Sequence, residues 1–370
     1  MRALHIITGL GIGGAEQQLR VLLRHLPVAC DVVTLTNPGA VAQGLRADGV
    51  RVTDLGMKGN RDLAALPRLA GLVWRGKYDL VHTHLYRACV YGRIAARLAG
   101  VRATIATEHS LGAAEIEGRP LTRSTRALYL RTERLGSATV AVSSTVAGRL
   151  RDWGVPAARI HLVPNGIDAD LFRFDDGQRR SARSLLGIPA DAFVVGGVGR
   201  LVPGKRFDVL VRAVAALPGA RLLLAGDGPE RGRLIALAER LGAAGRVHLP
   251  GECDAGRSGP GPGVPALLSA MDAFVSTSRE ESFGLAVVEA LAAGLPVLHA
   301  ACPAVEDLPA DQSSGTTRIS GDAEELTAAL RQRMRVGPQR LPPPPAVGHY
   351  DIRRSSGHLM DVYERALSGR

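Results

Sequence analysis

Two glutamates, Glu281 and Glu289, flank a Phe-Gly pair in the stretch SREESFGLAVVEALAAGLPV, residues 278–297. The stretch predicts a turn followed by a helix. The backbone amides that open such a helix lack intrahelical partners and favour phosphate or hydroxyl oxygens. Here they belong to Phe283, Gly284 and Leu285. A carboxylate accepts two hydroxyls at once, so the pattern favours a ligand with both phosphate and sugar groups. Taken alone, such a pair of glutamates is more often a surface or capping feature.

Short apolar or β-branched runs alternate with helix-period segments along the chain, which is typical of parallel sheets covered by crossover helices. The predicted strands of the first half are ALHIIT, DVVTLT, RVTDLG, YDLVHTH, ATIATEH and ATVAVS. Those of the second half are AFVVGGVG, RLLLAGDG, RVHLPG, DAFVSTS, PVLHA and TTRIS. We therefore predict an α/β protein with two Rossmann-like domains that face each other across a cleft. Ligands of such domains bind at the carboxyl ends of the strands.

The predicted domains are residues 1–170, which would bind the acceptor, and residues 188–345. Between them, the polar stretch RFDDGQRR is interpreted as a linker. Residues 253–266 are rich in glycine and proline and predict a mobile loop. The four consecutive prolines within 341–348 predict a stiff polyproline spacer. The amphipathic tail 349–370 is expected to pack back on the first domain.

Composition limits the possible classes of protein. The chain is 46% hydrophobic and 22% charged, as soluble globular proteins are, and it has no apolar run long enough to span a bilayer. The N-terminus reads as a strand and turn, so we expect a cytoplasmic protein. The four cysteines form no CxxC pair, which favours reduced structural thiols over a zinc site or disulfides.

Positive charge is concentrated in the first half of the chain. Residues 1–170 carry 22 Lys and Arg against 13 Asp and Glu, whereas residues 171–370 carry 24 against 22. Such asymmetry suits nucleic acid, an anionic membrane or a phosphorylated substrate. Aromatic residues are only 4% and no nucleic-acid motif is present, so no nucleic-acid partner is expected.

The stretch 278–297 closely resembles the signature of the retaining family-4 glycosyltransferases of the GT-B fold. In that signature two glutamates flank seven residues that include Phe-Gly-Leu, followed by Glu-Ala and Gly-x-Pro-Val. Three further segments resemble the same family in the same order: GLGIGGAEQQLRVLL at 9–23, VPNGID at 163–168 and VGRLVPGKRFDVLVRA at 198–213. The resemblance covers nearly the whole chain and is strongest in 196–300.

The resemblance implies roles for particular residues. Backbone amides at Gly13 and Gly14 would approach the donor diphosphate, and the side chains of Arg200 and Lys205 would bind it. His109 would lie near the donor sugar as a catalytic residue. Glu281 would orient that sugar and is the second catalytic candidate. The other donor-binding residues implied are Ser282, Phe283, Gly284, Leu285 and Glu289, the last for the ribose diol.

No metal is expected. His82 and His84, in VHTH, are interpreted as pointing to opposite faces of their strand, which would prevent a two-histidine metal pair. Asp168 and Asp170 follow the NGI turn and are interpreted as linker caps. The family resemblance implies that cationic side chains and amides neutralise the leaving diphosphate, which is the role of a metal elsewhere. No cofactor is expected beyond the nucleotide-sugar substrate.

Two stretches are less regular. After PVLHA the family commonly has two glycines, whereas this chain has ACPAVEDLP, which retains Glu306 but casts doubt on backbone contacts at 302–305.

A helix predicted from Pro120 would group arginines opposite leucines, and the leucines should face the core. The arginines are Arg119, Arg123, Arg126 and Arg134, and the leucines are Leu121, Leu128 and Leu135. The arginines could bind a lipid diphosphate acceptor or anionic headgroups, or form an ordinary solvated face.

The resemblance implies a retaining glycosyltransferase that moves a sugar from a nucleotide-diphosphate sugar, UDP-linked, to a lipid-linked, polysaccharide or secondary-metabolite acceptor. The nearest alternatives are a nucleotide-sugar epimerase or phosphorylase of the same fold. A non-catalytic sugar-nucleotide or nucleic-acid binding protein is an alternative of a different class. A dinucleotide dehydrogenase is disfavoured because the second strand, in DVVTLTNPG, does not end in an acidic residue.

Overall fold

The computed structural model describes residues 1–59, 62–112, 115–117, 119–253 and 261–369, with the side chain of Arg119 outside this description. The chain divides into two compact units. The first comprises Met1–Gly166 together with the C-terminal segment that starts at Ile352, and the second comprises Ile167–Asp351. In the described residues, no helix is both long and apolar enough to span a bilayer.

The first unit is built around a parallel sheet. Its strands are β1 (Arg2–Ile7), β2 (Ala29–Thr34), β3 (Arg51–Asp54), β4 (Leu80–His84), β5 (Ala103–Glu108), β6 (Glu115–Ile116), β7 (Arg119–Pro120), β8 (Ala138–Ala141) and β9 (Ile160–Leu162). Its helices up to residue 166 are α1 (Gly14–His25), α2 (Gly39–Ala47), α3 (Ala65–Gly76), α4 (Tyr86–Leu98), α5 (Arg123–Glu133) and α6 (Ser144–Trp153). Seven strands pair in the order β3-β2-β1-β4-β5-β8-β9, and β6 and β7 form a separate antiparallel pair.

The second unit repeats the architecture with six parallel strands. They are β10 (Phe193–Val198), β11 (Ala220–Ala225), β12 (Val247–Gly251), β13 (Ala273–Ser276), β14 (Val297–His299) and β15 (Thr316–Arg318). The helices are α7 (Asp176–Leu185), α8 (Phe207–Ala215), α9 (Arg231–Arg240), α10 (Val264–Ala270), α11 (Leu285–Ala292), α12 (Pro303–Glu306), α13 (Ala323–Val336) and α14 (Pro345–His349). The strand order is β12-β11-β10-β13-β14-β15. Two parallel α/β sheets confirm the predicted fold class.

The C-terminal helix α15 (Ile352–Ser368) belongs to the first unit. Its apolar face, including Ile352, Leu359 and Val362, lies in the same core cluster as residues of α1, β1 and β2. Tyr363 is fully buried there, and its hydroxyl lies 2.7 Å from Nδ1 of His82. The amphipathic period of the tail thus corresponds to a face buried against the sheet.

The stretch interpreted as a linker, 173–180, lies in the second unit, and its residues from Asp176 onward belong to helix α7. Asp175 caps α7 by accepting a hydrogen bond from the amide of Gln178, at 2.7 Å. The chain passes from the first unit to the second at Gly166–Ile167 and returns at Asp351–Ile352, rather than through 171–187. The polar composition misled the interpretation because Arg179 and Arg183 of α7 are engaged by the carboxylate of Asp272 rather than by solvent.

Three other local expectations need correction. The last three residues of the proposed mobile loop, 264–266, begin α10, which has a proline in its first turn, where the missing N–H costs nothing. Residues 254–260 of that loop lie outside the described residues. The proposed polyproline spacer turns into the short helix α14 at Pro345. Asp168 precedes a short 3-10 helix without a side-chain cap, and Asp170 instead pairs with Arg173 at 2.6 Å.

The arginine-rich helix also differs from the prediction. It starts at Arg123, where Thr122 caps it, rather than at Pro120. Its buried residues are Tyr129, Thr132 and Glu133, whereas Leu128 is 45% exposed and Leu135 is 36% exposed. Leu128 and Leu135 therefore do not face the core. The buried face of the helix includes Tyr129 instead, which the predicted pattern of leucines left out.

Asp272 organises a buried ionic cluster that fixes α7 to the sheet. Its carboxylate accepts hydrogen bonds from Arg179 at 2.7 Å, from Arg183 at 2.8 Å and from the amide of Val194 at 2.8 Å. Asp272 and Arg183 are 2% and 3% exposed. A buried charge without its partner is strongly destabilising, whereas the pair itself adds less.

We expect Asp272→Ala to lower the free energy of unfolding by about 3–5 kcal/mol, because Arg183 would stay buried without its counterion. Urea unfolding monitored by circular dichroism measures the change. The matched control is Asp176→Ala on the same helix, which breaks an exposed pair with Arg180 and should change stability by less than about 1 kcal/mol. Equal losses in the two variants would contradict the assigned importance of burial.

Candidate functional site

Each sheet has one point where the strand order reverses, and the candidate residues gather at these points. The reversal lies between β1 and β4 in the first sheet and between β10 and β13 in the second. Loops that leave the carboxyl ends of two such strands go to opposite faces of the sheet and leave a crevice between them.

In the second unit, Lys205 and Glu281 form an ion pair beyond the carboxyl ends of β10 and β13, where the strand order reverses. Lys205 ends a short 3-10 helix in the loop after β10, and Glu281 lies in the loop after β13. The Oγ1 hydroxyl of Thr277 donates to the carbonyl of Lys205 at 2.8 Å and contacts that of Arg206 at 3.0 Å. These contacts tie the two loops together, so the sequence-predicted cation and carboxylate meet.

Two glycines let the lysine loop pack against the loop after β11. Gly226 has φ +140°, and a Cβ added there would lie 2.0 Å from the carbonyl oxygen of Gly199. At Gly228, with φ +155°, a Cβ would lie 2.5 Å from the carbonyl oxygen of Leu201. Only glycine allows both the backbone conformation and the close approach. The segment that carries Arg200 and Lys205 is therefore held by backbone packing.

Arg200 occupies the same loop and differs from Lys205 in its environment. It is exposed, and none of the described residues forms a hydrogen bond or ion pair with its guanidinium. An arginine with free donors in a planar fork is suited to two oxygens of a phosphate group. Of the two predicted cations, Arg200 is therefore without a partner among the described residues and Lys205 is paired with a carboxylate.

Helix α11 opens beside this pair with unsatisfied amides. Among the described residues, no acceptor hydrogen-bonds to the backbone N–H of Phe283, Gly284, Leu285 or Ala286. Gly284 is the N-cap with φ +102°, and an added Cβ would lie 2.4 Å from Sγ of Cys302. The neighbouring Ser282 is partly exposed. Such a helix end attracts anions through its N–H groups and the helix dipole.

The segment that departs from the family pattern packs directly on this helix end. The amide of Ala304 donates to the carbonyl of Phe283 at 2.9 Å, and the Cys302 thiol lies 3.6 Å from the same oxygen. The carboxylate of Glu306 accepts from the amide of Cys302 at 3.3 Å. Residues 302–306 thus support the start of α11 where the family commonly has glycines.

Glu289 lies in α11, one turn after its start, and burial raises the pKa of its carboxyl to about 7. The residue as a whole is only partly buried, and no hydrogen bond to its carboxyl is found among the described residues. A carboxyl without a cation or N–H partner loses hydration on burial, so its neutral form is favoured. Near neutral pH this group therefore stands between its two protonation states.

In the first unit, the loop after β1 leads into α1 through Gly13 and Gly14. Gly13 is the N-cap of α1 and has no side chain that could accept a hydrogen bond from the first amides of the helix. Within the described residues, the amides of Gly14 and Ala15 have no hydrogen-bond acceptor. This end of α1 offers free N–H groups like those of α11.

His109 follows β5 and belongs to a chain of imidazoles. Its Nε2 lies 3.1 Å from Nδ1 of His84, and Nε2 of His84 lies 3.0 Å from Nδ1 of His5. His82 contacts Tyr363 and Thr107 instead, both at 2.7 Å. Burial lowers the pKa of His5 to about 3 and that of His109 to about 4, and it holds those of His82 and His84 well below the ordinary value. All four rings are neutral at pH 7.

The predicted orientation of His82 and His84 is wrong. Their ring centroids lie 4.2 Å apart, because residues two positions apart on a strand share one face. Together with His5 they form a buried group whose possible ligand atoms lie within 4.8 Å of one another. The geometric reason given against a two-histidine pair therefore does not hold.

Two pockets in the first unit lie elsewhere. One, of about 580 Å³, is lined by Trp74, Tyr78, Arg102 and Leu367, and another, of about 290 Å³, by Arg2, Asp31 and Tyr78. Both lie near the amino ends of strands. Neither contains a predicted site residue.

Comparison with known proteins decides the family. A model described as Glycosyltransferase Family 4 matches residues 12–171, and one described as Glycosyl transferases group 1 matches residues 178–340. The D-inositol 3-phosphate glycosyltransferase of Mycobacterium tuberculosis strain H37Rv is 28% identical over 370 residues, covering 95% of this chain and 75% of the relative. The chain belongs to the family-4 glycosyltransferases.

Solved glycosyltransferase structures share the fold. Anabaena HepE, solved with UDP and glucose, superposes with a TM-score of 0.83 at 22% identity over 98% of this chain and 99% of that chain. Sucrose-phosphate synthase from Thermosynechococcus elongatus gives a TM-score of 0.78 at 21% identity over the whole of both chains. The likeness supports the GT-B fold for each of the two units described above.

Sequence reasoning missed several residues that shape this glycosyltransferase's site. Thr277, Gly226, Gly228 and Cys302 bind no predicted ligand but position those that do. The glycines after LLLA carried a signal, since Gly-Asp-Gly directly after a strand indicates a special backbone. No sequence signal pointed to His5, because a histidine inside an apolar strand is usually a structural group.

The raised pKa of Glu289 predicts a pH-dependent stability. The unfolded carboxyl has the ordinary value of 4.5, so between about pH 4.5 and 7 the unfolded state releases a proton that the folded state keeps. Stability from this group is full below pH 4.5 and is lost as pH rises through 7. Glu289→Gln should therefore match the wild type at pH 4 and have a higher unfolding midpoint at pH 8.

Thermal unfolding across this pH range measures the difference. Glu239→Gln, at an exposed position on α9, is the control for removing one carboxylate. An offset for Glu289→Gln that does not vary with pH would show that its carboxyl is ionised normally.

Proposed function

We propose that this glycosyltransferase is a retaining, metal-independent enzyme that moves a sugar from a UDP-sugar to an acceptor bound by the first unit. The supporting observation is the juxtaposition of Lys205, Glu281 and the free amides at the start of α11. This set offers a cation and N–H donors to a diphosphate and a carboxylate to sugar hydroxyls. UDP is favoured because HepE, of similar fold, was solved with UDP and UDP-glucose.

The diphosphate is the leaving group in this proposal. Arg200, Lys205 and the amides of α11 offset the charge that develops on it as the bond from the sugar carbon to phosphate oxygen breaks. The acceptor hydroxyl attacks from the same face, and its proton passes to the departing phosphate oxygen. The anomeric configuration is thereby retained without a carboxylate nucleophile. No metal or cofactor takes part, since fixed cations and dipoles do this work.

Each carboxylate has a separate task. Glu281 accepts hydroxyls of the donor sugar while its contact with Lys205 keeps that ammonium at the diphosphate. Glu289 accepts the ribose hydroxyls, and the hydroxyl donors restore part of the solvation that burial removes. His109 contacts the donor sugar from the first unit. The acceptor is lipid-linked, with a polysaccharide or secondary metabolite as alternatives, and the protein works in the cytoplasm.

The test is a donor panel of UDP-, GDP-, ADP- and dTDP-sugars. We expect thermal stabilisation and slow donor hydrolysis with a UDP-sugar, undiminished by EDTA, and product of unchanged anomeric configuration by NMR. Stabilisation by none of the four, or loss of hydrolysis with EDTA that Mg²⁺ restores, would contradict the proposal. Epimerised nucleotide sugar without transfer would indicate the epimerase alternative.

Two variants test the site directly. Lys205→Ala and Glu281→Ala should each lower kcat/KM for the donor by at least about tenfold, some 1.4 kcal/mol of barrier. Lys58→Ala removes the same charge from an exposed position in the first unit and should leave donor turnover unchanged. Full activity in both site variants would place the donor elsewhere.

We further propose that α5 contacts an anionic membrane surface. Its exposed Leu128 and Arg131, together with the exposed Arg134 and Leu135 that directly follow the helix, form a basic and apolar surface that suits a lipid interface. Arg126 is less available, because its guanidinium donates to the carbonyls of Asp152 and Trp153.

Replacing Arg131 and Arg134 by serine should weaken binding to phosphatidylserine-containing vesicles by about 2 kcal/mol, roughly thirtyfold, at one kcal/mol per arginine. Co-sedimentation measures this, with phosphatidylcholine vesicles as the neutral reference. Serine at Arg331 and Arg335, on α13 of the second unit, removes the same charge and should have little effect. Equal weakening by both pairs would indicate attraction by net charge alone.

A further inference from the structure

We propose that His84 and His5 are positioning residues that fix the tautomer of His109, so that Nδ1 of His109 carries the proton and donates toward the donor substrate. The three imidazoles form one hydrogen-bonded chain across neighbouring strands. The tautomer assignment stands on geometry alone, whereas its catalytic consequence rests on the proposed function of His109.

The contacts have the geometry of in-line hydrogen bonds. His5 and His84 are separated by 3.0 Å between ring nitrogens and 5.3 Å between centroids, with an interplanar angle of 15°. His84 and His109 show 3.1 Å, 5.4 Å and 29°. In each pair, the distance between the ring centroids exceeds the distance between the bonded nitrogens by about two ring radii. The bonding nitrogens therefore lie nearly on the line between the rings, as an N–H···N bond requires.

Neutral imidazoles allow this chain only two proton arrangements. Each ring has one N–H donor and one lone pair, and burial keeps all three rings uncharged. If Nδ1 of His5 donates to His84, then Nδ1 of His84 donates to His109, and Nδ1 of His109 carries a free N–H. In the opposite arrangement every proton lies on Nε2, and the free N–H is on His5. The two ends of the chain are thus coupled.

Burial selects between the arrangements. Nε2 of His5 and Nδ1 of His109 are both buried atoms without a hydrogen-bond partner among the described residues. His5 is fully buried, whereas His109 as a residue is partly exposed, at the end of β5. An orphaned N–H in the core is more costly than an orphaned lone pair. The arrangement with the free N–H on His109 is therefore favoured.

The sheet holds the chain in place. His5 lies on β1, His84 on β4 and His109 directly after β5, and these strands are consecutive in the sheet order. His82, the neighbouring ring, has both nitrogens engaged by Tyr363 and Thr107 and is not part of the chain. Two imidazoles on paired strands and a third directly after the next strand leave little freedom for ring rotation. His109 then holds a neutral N–H on Nδ1, and under the proposed function this N–H donates to a sugar hydroxyl or phosphate oxygen.

A metal ion held by His5, His82 and His84 is the competing interpretation. It would require His82 to give up one of two short hydrogen bonds. Nitrogen ligands around tetrahedral zinc are about 3.3 Å apart, given Zn–N bonds near 2.05 Å. The observed 3.0 Å between His5 and His84 is a hydrogen-bond distance instead. The structure therefore favours a shared proton between these rings.

The first test reads the tautomers in the unmodified protein. Long-range 15N–1H NMR with ring-labelled histidine distinguishes Nδ1–H from Nε2–H, and single histidine variants assign the resonances. We expect Nδ1–H for His5, His84 and His109 at pH 7, without imidazolium. An Nε2–H tautomer at His109 would overturn the proposal. This measurement needs neither turnover nor a known substrate, so it stands even if the proposed function fails.

The second test uses two amides of different reach. In His84→Asn the amide nitrogen is as many bonds from Cβ as Nδ1 is, so it can still donate to Nε2 of His109. In His84→Gln the amide lies at the level of Nε2, toward His5, and His109 loses its donor. We expect His84→Asn to retain kcat for a UDP-sugar within about threefold and His84→Gln to lose about tenfold or more. His109 should keep Nδ1–H only in the first variant.

Other outcomes also decide the matter. Equal activity in the two variants, with folding verified by circular dichroism, would overturn the role of His84. Stoichiometric zinc by mass spectrometry in the purified protein, lost in His5→Phe, would replace the shared proton by a metal and overturn the proposal. If His84→Gln does not fold, the NMR of the wild type decides alone. If no UDP-sugar is a substrate but another nucleotide sugar is, and His84→Asn is more active than His84→Gln with that donor, only the proposed donor is corrected.

Discussion

The contact between Lys205 and Glu281 depends on one constraint: two loops leave hydrogen-bonded neighbouring strands at the same edge of a parallel sheet. Because β10 and β13 lie side by side, the two side chains meet without help from a flexible lid. Glycines at 226 and 228 then bring the neighbouring loop against the lysine loop at backbone distance. Cys302 and Ala304 support the start of α11 in the same way. The charged groups are placed by packing of the main chain.

The first sheet uses its corresponding edge differently. Its reversal point carries imidazoles that burial keeps neutral, joined across β1, β4 and β5. A neutral ring can hold a proton on one nitrogen and a lone pair on the other, so a chain of such rings has a direction. Tyr363 of α15 contacts His82 beside this chain. The C-terminal helix therefore completes the polar core of the unit in which the chain begins.

Much of the fold and part of the site could be predicted from the sequence. The β-branched runs and the helix periods identified the six strands of the second sheet, and the motif at 278–297 identified Glu281 and the open amides of α11. Chemistry that depends on three-dimensional neighbours could not be obtained this way. Nothing near His5 in the sequence indicates His84. Leu128 and Leu135 were misassigned to the core because Tyr129, Thr132 and Glu133 form the buried face of α5 instead. The orientation of His82 and His84 was an error of strand geometry, which the alternation of side chains already contradicts.

The different electrostatics of the two units follow from what a parallel sheet can bury. In the second unit the cations lie in loops beyond the strand ends, where Arg200 is exposed and Lys205 has a carboxylate partner, so their charge costs little desolvation. In the first unit the polar groups lie within the strands themselves, and a charge there would be penalised by burial. Neutral hydrogen-bond donors are the form of polarity that such a position tolerates. Under the proposed function, the second unit would balance the charge of the leaving diphosphate while the first contributes a donor whose proton position is fixed by its neighbours.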